Sequence, residues 1–494
     1  MEPKKVAENT WMIPKTDKMN VPGIVYASDK LMELIKRDKT LQQVSNVACL
    51  KGIQRASYAM PDAHQGYGFS IGGVAAFDVE NGIISPGGVG YDINCSVRLL
   101  STNIPVDEFL KHREELVNEL FKNVPSGVGS KGRLGKVTTD MLREVLANGS
   151  QWAVKQGYGK KEDWIKTEDS GNLKGDPHAV SEMAFKRGIP QLGSLGAGNH
   201  FLEVQQIDEV YDSKTAKIFG VDNKGNVTIM VHCGSRGLGH QVASDYIKEM
   251  EAKYGHEHLP DRELINAPIQ SELGQKYLKA MNAAANFAFA NKQMITHWIR
   301  ESVEKVLGNS DVNVVYDICH NIAKIEKHII TPLDDFSGNN RDLMKGTEAS
   351  SRNAEKKMVC VHRKGATRSF GPDRDELPDC YKATGQPVLI PGSMGTASYV
   401  LVGTKKAEQV SFASTAHGAG RIMSRHEALQ KFKGEKVKSD LMAKNIFVKS
   451  QSWKGIAEES PGVYKDIDEV VRVSHELGIG NLVVKVKPLG VIKG

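Results

Sequence analysis

The sequence predicts a mixed α/β fold. Short β-branched runs alternate along the chain with longer amphipathic stretches at helical spacing. Hydrophobic residues make up 40% and charged residues 25%, an ordinary globular balance that excludes a disordered or collagen-like chain. Several apolar runs end directly in glycines or in polar, ligand-capable side chains, the junction at which α/β folds bind ligands.

The elements follow in order. Residues 106–121 carry Leu110, Leu116, Val117 and Leu120 at helical spacing. A buried strand is predicted over 227–232 and a helix over 241–254. Residues 271–307 are rich in helix formers; their most apolar part, 281–290, is interrupted by Asn282 and Asn286, so it is no membrane span. Strands are predicted over 312–318, 358–362, 387–390 and 482–486, with a helix over 463–477 carrying Ile467, Val470, Val471 and Leu477. The polar stretch 332–357 reads as a long surface loop. No repeat, low-complexity tract or linker divides the chain, so one catalytic body over 1–494 is expected, with mixed sheets and a deep metal and nucleotide cleft.

The charge is mildly basic: 65 Lys and Arg against 59 Asp and Glu give +6, which permits a polyanionic partner without requiring one. Residues 1–20 hold four lysines with no apolar stretch behind them, so no secretory signal is expected. The six cysteines are widely spaced, without a C-x-x-C, and read as cytosolic thiols; a cytoplasmic protein with no membrane contact is the expectation.

Walker A and H-E-x-x-H sequences are absent, as is the K-x-D-G lysine motif of common nucleotidyl-transferring ligases. Five histidines instead sit in glycine-flanked or strand-end segments: His64, His200, His232, His320 and His417. One such histidine alone is as readily core filling; five together are harder to explain that way. Asp92-Ile-Asn-Cys95 follows Gly87-Gly-Val-Gly, a turn that lets both side chains face one ion, although a buried thiol near a cap is the plainer reading. A thiolate can bridge two divalent ions. In His232-Cys233 and Cys319-His320 only one of each pair faces a shared site, and alternation alone does not say which. Ligand softness favours zinc, open positions for phosphate favour manganese, and the spacing does not separate them. His417 lies among Ala416, Gly418, Ala419 and Gly420, so a bulky ligand can approach the ring; Arg421 and Arg425 follow at helical spacing as a guanidinium pair for phosphate, or as a solvated basic face. The basic run His362–Arg368 reads as an RNA-backbone patch or a solvated turn.

Eight segments in order carry a resemblance: Pro61-Asp-Ala-His-Gln-Gly-Tyr-Gly, Ser85-Pro-Gly-Gly-Val-Gly-Tyr-Asp-Ile-Asn-Cys95, Gly193-Ser-Leu-Gly-Ala-Gly-Asn-His-Phe-Leu-Glu203, Val231-His-Cys-Gly-Ser-Arg-Gly-Leu-Gly-His240, His362-Arg-Lys-Gly-Ala-Thr-Arg368, Pro391-Gly-Ser-Met-Gly395, His417-Gly-Ala-Gly-Arg421 and Lys487-Pro-Leu-Gly-Val-Ile-Lys-Gly494. Together they closely resemble the RtcB-type RNA ligases, from about residue 61 to the end; the first 60 residues carry few motif residues.

The resemblance implies a GTP- and manganese-dependent ligase that joins RNA ending in a 2′,3′-cyclic phosphate or 3′-phosphate to RNA with a 5′-hydroxyl, in tRNA splicing and in RNA repair. By residue, it implies one manganese on Asp92, Cys95 and His200, a second on Cys95, His232 and His320, and guanylylation of His417. It implies guanylate contacts from Asn199, His200, Phe201, Leu202, Glu203, His320, Asn321, Pro391, Gly392, Ser393, Met394, Ser398, His417, Gly418, Ala419, Gly420 and Lys493. It makes His232 and His320, not Cys233 and Cys319, the site-facing members of their pairs. The family often works with an activating protein, archease, and a monomer is the default expectation. Arg236, Arg421 and Arg425 are assigned to RNA phosphates. The rival enzyme reading is a dinuclear metal-dependent phosphoesterase acting on RNA ends, which leaves His417 and Lys493 without a task; a metal-stabilised RNA-binding protein is the non-enzymatic one.

Overall fold

Two large sheets face one another and set the architecture. The computed structural model describes residues 2–135, 137–308, 311–330 and 356–494. The first sheet has seven strands in the order Lys4–Ala7, Thr10–Ile13, Gly23–Tyr26, Ile53–His64, Ile71–Asp78, Lys356–Lys364 and Asn321–Ile329. Its neighbours run antiparallel except for Gly23–Tyr26 beside Ile53–His64. The second has eight: Val312–Cys319, Ser96–Pro105, Asn226–Cys233, Phe201–Val210, Asn481–Lys493, Ser398–Val402 and Pro387–Ile390 in order, with Phe447–Ser450 parallel to Asn481–Lys493. The mixed α/β class expected from the sequence is the class observed.

Strand alternation divides the core in two. Val227, Ile229, Val231 and Cys233 pack toward the long helix Glu272–Leu307, while Met230 faces the other sheet with Val97, Val74, Ala76 and Val361. His232 has the parity of Met230, so its ring emerges at the end of the inter-sheet face. Cys319 joins the helix-side core and Ile318 the inter-sheet core, which gives His320 the inter-sheet side. The register gathers these ends: Ser96 pairs with both Cys233 and Cys319, and Phe201 pairs with His232 and Lys493.

The long helix is capped by Ser271, whose hydroxyl accepts the Gly274 N–H, and it is buried on nearly every side through its middle turns. Its buried polar groups find backbone partners. Asn286 donates to the carbonyls of Leu146 and Leu173 and accepts the Leu173 N–H. Asn291 accepts the N–H groups of Gly193 and Ser194 at 2.6 and 2.9 Å, fixing the glycine turn that leads to His200.

The single helix expected over 106–121 is two, Val106–Lys111 and Arg113–Asn123, because His112 leaves helical geometry. Leu110 is consequently exposed and Phe109 is buried in its place. The helix expected over 241–254 starts earlier, as Arg236–Tyr254, and that over 463–477 is Ile467–Glu476, capped by Asp466. The strand expected over 482–486 is the first part of Asn481–Lys493. Of the stretch 332–357, only Lys356 and Lys357 fall among the described residues, and they open a strand; the rest lies outside them. Among the described residues, no helix is long and apolar enough to cross a membrane.

Candidate metal and nucleotide site

Cys95 lies at the head of strand Ser96–Pro105 and is the hub of two ligand groups. Cys95, His232 and His320 form one, and Asp92, Cys95 and His200 the other; within each, the ligand atoms lie within 4.8 Å of one another. Cys95 Sγ is 3.1 Å from His232 Nε2 and 3.5 Å from His200 Nε2. His232 Nε2 faces His320 Nε2 at 3.1 Å, and His200 Nε2 lies 2.7 Å from Asp92 Oδ2. Cys233 and Cys319 point away; the Cys233 thiol donates to the Leu195 carbonyl at 3.0 Å.

The electrostatics suit a divalent cation. Burial, then the neighbouring imidazoles, holds His232 and His320 far below the ordinary histidine range, so both rings are neutral and offer lone pairs. Burial and then the Asp92 carboxylate push the Cys95 thiol well above its usual range, so without a cation it keeps its proton. Burial alone would raise Asp92, but the adjacent His200 overrides it and keeps the carboxyl ionised. Asp92 Oδ1 and His320 Nδ1 are buried without a hydrogen-bond partner. Two neutral imidazole nitrogens facing each other, a thiol and a carboxylate with an unpaired oxygen make a donor set that fits the implied ions.

His417 follows the short strand Ser414–Ala416, which pairs with Ala366–Arg368 and brings it in from beside the first sheet. Its ring centroid is 5.0 Å from that of His320. Asp62 Oδ2 lies 2.5 Å from His417 Nδ1 and accepts the N–H groups of His417 and Gly418, which leaves Nε2 as the unengaged ring nitrogen. Gly420 allows this approach: its φ is +75°, and a Cβ there would stand 2.1 Å from the Asp62 carbonyl oxygen.

These groups open on one cleft of about 930 Å³. Of the residues assigned to guanylate, Asn199, His200, Phe201, Glu203, His320, Asn321, Pro391 to Met394, His417 to Gly420 and Lys493 line it. Leu202 and Ser398 do not. Leu202 has the opposite strand parity and packs into the helix-side core. Ser398 sits under the turn at 391–395, where its hydroxyl accepts the Gly392 N–H at 3.0 Å. Lys493 donates to the Gly198 carbonyl at 3.0 Å and lies 3.4 Å from Glu459. Burial pushes Glu203 up to about 8, and Gln205 donates to it at 2.6 Å.

The basic groups behave differently from the sequence expectation. Arg421 and Arg425 do not share a helix face, because the helix begins only at Arg425. Arg421 is tied to Glu459 at 3.2 Å and to the Glu458 carbonyl, although it still borders the cleft with Arg236 and Arg425. Although Lys364 and Gly365 border the cleft, His362–Arg368 is not a solvated turn. Its side chains are buried; Arg363 makes a two-pronged pair with Glu326 at 2.8 Å. His64 borders the cleft with Nδ1 3.1 Å from the Asp62 carbonyl, outside both ligand groups.

Sequence reasoning assigns no role to Asp62, Glu459 or the segment Gly127-Val-Gly-Ser-Lys-Gly132. The first was signalled only by its place in the Pro61-Asp-Ala-His segment, at the end of the strand Ile53–His64, and the last by its G-x-G-x-x-G spacing; Gly127, Val128 and Gly129 border the cleft.

A family model described as "tRNA-splicing ligase RtcB" matches residues 43–494. The chain belongs to the RtcB family. A tRNA-splicing ligase RtcB of Thermococcus kodakarensis is 52% identical over 500 residues, covering 99% of this chain and 98% of that protein. Relatives of the same name from Methanococcus maripaludis and Archaeoglobus fulgidus are 50% and 49% identical, each covering 99% of this chain and 99% and 98% of their own length. The RtcB match includes the segments that carry Asp62, both ligand groups, His417 and Lys493.

Proposed function

We propose that this RtcB-family chain is one catalytic body that seals RNA, joining a 2′,3′-cyclic phosphate or 3′-phosphate end to a 5′-hydroxyl end through a guanylylated His417, in tRNA splicing and RNA repair. The observation that carries the proposal is the anchoring of His417 Nδ1 on Asp62, with the ring beside His320 and the two ligand groups that share Cys95.

Asp92, Cys95 and His200 would hold one manganese, and Cys95, His232 and His320 the other; when bound, the ions supply Lewis acidity to phosphate oxygens. Asp62 accepts a hydrogen bond from the Nδ1–H group and leaves the Nε2 lone pair free. His417 Nε2 attacks the α-phosphorus of GTP, an N–P bond forms, and pyrophosphate leaves. A cyclic phosphate end is opened by water to a 3′-phosphate. An oxygen of that phosphate takes the guanylyl group from His417, which regains its lone pair. The 5′-hydroxyl then attacks the activated phosphorus, losing its proton as GMP departs. A phosphomonoester is a poor electrophile until such a leaving group is attached, which is why the nucleotide is needed.

Asn199, Phe201, Glu203, Asn321, the turn 391–394, Gly418 to Gly420 and Lys493 would line the guanylate. The test is a joining assay with a 2′,3′-cyclic phosphate RNA, a 5′-hydroxyl RNA, GTP and Mn2+. Ligated product that requires GTP is expected; phosphate release without GTP and without joining would favour the phosphoesterase.

A further inference from the structure

The positive charge of the chain is concentrated in one place. Residues 425–454 carry eight Lys and Arg against three Asp and Glu, a local excess of +5 in a chain whose net charge is +6. They form the helices Arg425–Lys431 and Gly434–Ala443, the strand Phe447–Ser450 and the start of the helix Trp453–Glu458. Val437, Leu441, Ile446, Val448 and Ile456 make a small core of their own against Met394, behind the turn 391–394.

Trp453 stands outside that core and is 49% exposed. The Lys438 ammonium lies 5.4 Å from its ring centroid. The helix Gly434–Ala443 starts hard against the Trp453 backbone, since a Cβ at Gly434 would stand 2.2 Å from the Trp453 carbonyl oxygen; this sets the exposed Lys433 beside it. Lys436 pairs with Asp440 at 2.7 Å and Lys454 with Glu458 at 3.7 Å. Among the described residues, Lys431, Lys433 and Lys438 have no carboxylate partner. Gln451, Ser452 and Lys454 border the cleft, so the patch runs out from its mouth.

Bunched ammonium groups repel one another, and a polyanion relieves that cost. A bare indole among them adds a face on which any nucleobase stacks. We propose that Trp453, Lys433, Lys438 and Lys454 form an outer landing surface for the RNA strand that brings the 3′-phosphate, gripping it several nucleotides back from its end. The inference rests on the ligase reading above. The choice of strand follows from the shared wall. The 3′-phosphate takes the guanylyl group, so its strand must meet the guanylate; the helix that begins at Trp453 runs on to Glu458, next to Glu459 and Lys493, at the guanylate end of the cleft.

The test measures KM for 3′-phosphate RNA in its activation by GTP, with no 5′-hydroxyl strand present, over strands of two to twelve nucleotides. For the wild-type protein KM should fall on the order of 10-fold as the strand lengthens onto the patch. Trp453→Ala, and the double variant Lys433→Gln with Lys438→Gln, should lose that gain for long strands while keeping the wild-type KM for the shortest and the wild-type rate of His417 labelling. For long strands the double variant should also weaken the salt dependence, with a slope of log KM against log salt smaller by about one. A wild-type KM independent of strand length overturns the surface, as does a variant defect of equal size for short and long strands. A KM and salt slope unchanged in the variants also overturns it, and is the result expected if an acidic protein is the occupant instead. The wild-type length series stands even if a variant fails to fold. The two readings fail separately: no GTP-derived label on the wild-type protein sinks the ligase, whereas normal labelling with a length-independent KM sinks the landing surface alone.

Discussion

Asp62 and His417 are joined by a contact of 2.5 Å between Oδ2 and Nδ1, although 355 residues separate them in the chain. The same oxygen accepts two backbone N–H groups of the loop that carries the ring, and the aspartate is fully buried. Burial would raise its carboxyl, but His417 beside it lowers it below the ordinary range, so it remains an acceptor. Asp62→Asn removes the charge and frees the ring to turn. The expected result is a roughly 100-fold or greater fall in the rate of His417 guanylylation, measured with α-labelled GTP, while thermal unfolding remains cooperative.

Cys95 is the single residue common to both ligand groups. Cys95→Ala should therefore lower bound manganese per chain by at least half and abolish both guanylylation and joining. Metal analysis of the dialysed protein checks the first effect; a variant retaining the wild-type metal content would contradict the bridging assignment.

Arg98 and Asp317 form a fully buried pair at 2.9 Å on adjacent strands, and Arg98 also donates to Gln293, Thr296 and Thr167. Arg98→Met leaves the carboxylate with only the Lys292 ammonium, 3.6 Å away. Denaturant unfolding should show a loss of about 3–5 kcal/mol, the cost of stranding one member of a buried pair.

Glu203 is held up to about 8 by burial, against an ordinary glutamate value of 4.5. Between those values the native chain keeps a proton that the unfolded chain has released. Stability therefore falls as pH rises through this window. Glu203→Gln should flatten that dependence and leave the variant relatively more stable near pH 8, as read by thermal unfolding across pH.

Much of this was legible from one-dimensional signals. Helix formers marked the helix Glu272–Leu307 to within a residue, and β-branched runs marked the strands that deliver His232 and His320. Leu110 misled because helical spacing cannot show that the chain breaks at His112 and rotates the apolar stripe onto Phe109. Leu202 and Ser398 lie behind the cleft lining, because adjacency in a motif does not fix strand parity or distinguish a turn's lining from its support. The basic run around Arg363 looked solvent-facing because its partner, Glu326, is reached only across a strand pair. Asp62 went without a role because its partner lies at the other end of the chain.

The central claim is that His417 becomes the covalent carrier of the guanylyl group. Incubation with α-labelled GTP, with metal omitted, with zinc or with manganese, followed by peptide mapping, tests it most directly. The account predicts an acid-labile label on the peptide containing His417, formed with manganese and absent from His417→Ala. A label that survives His417→Ala, or that maps to another residue, would contradict it.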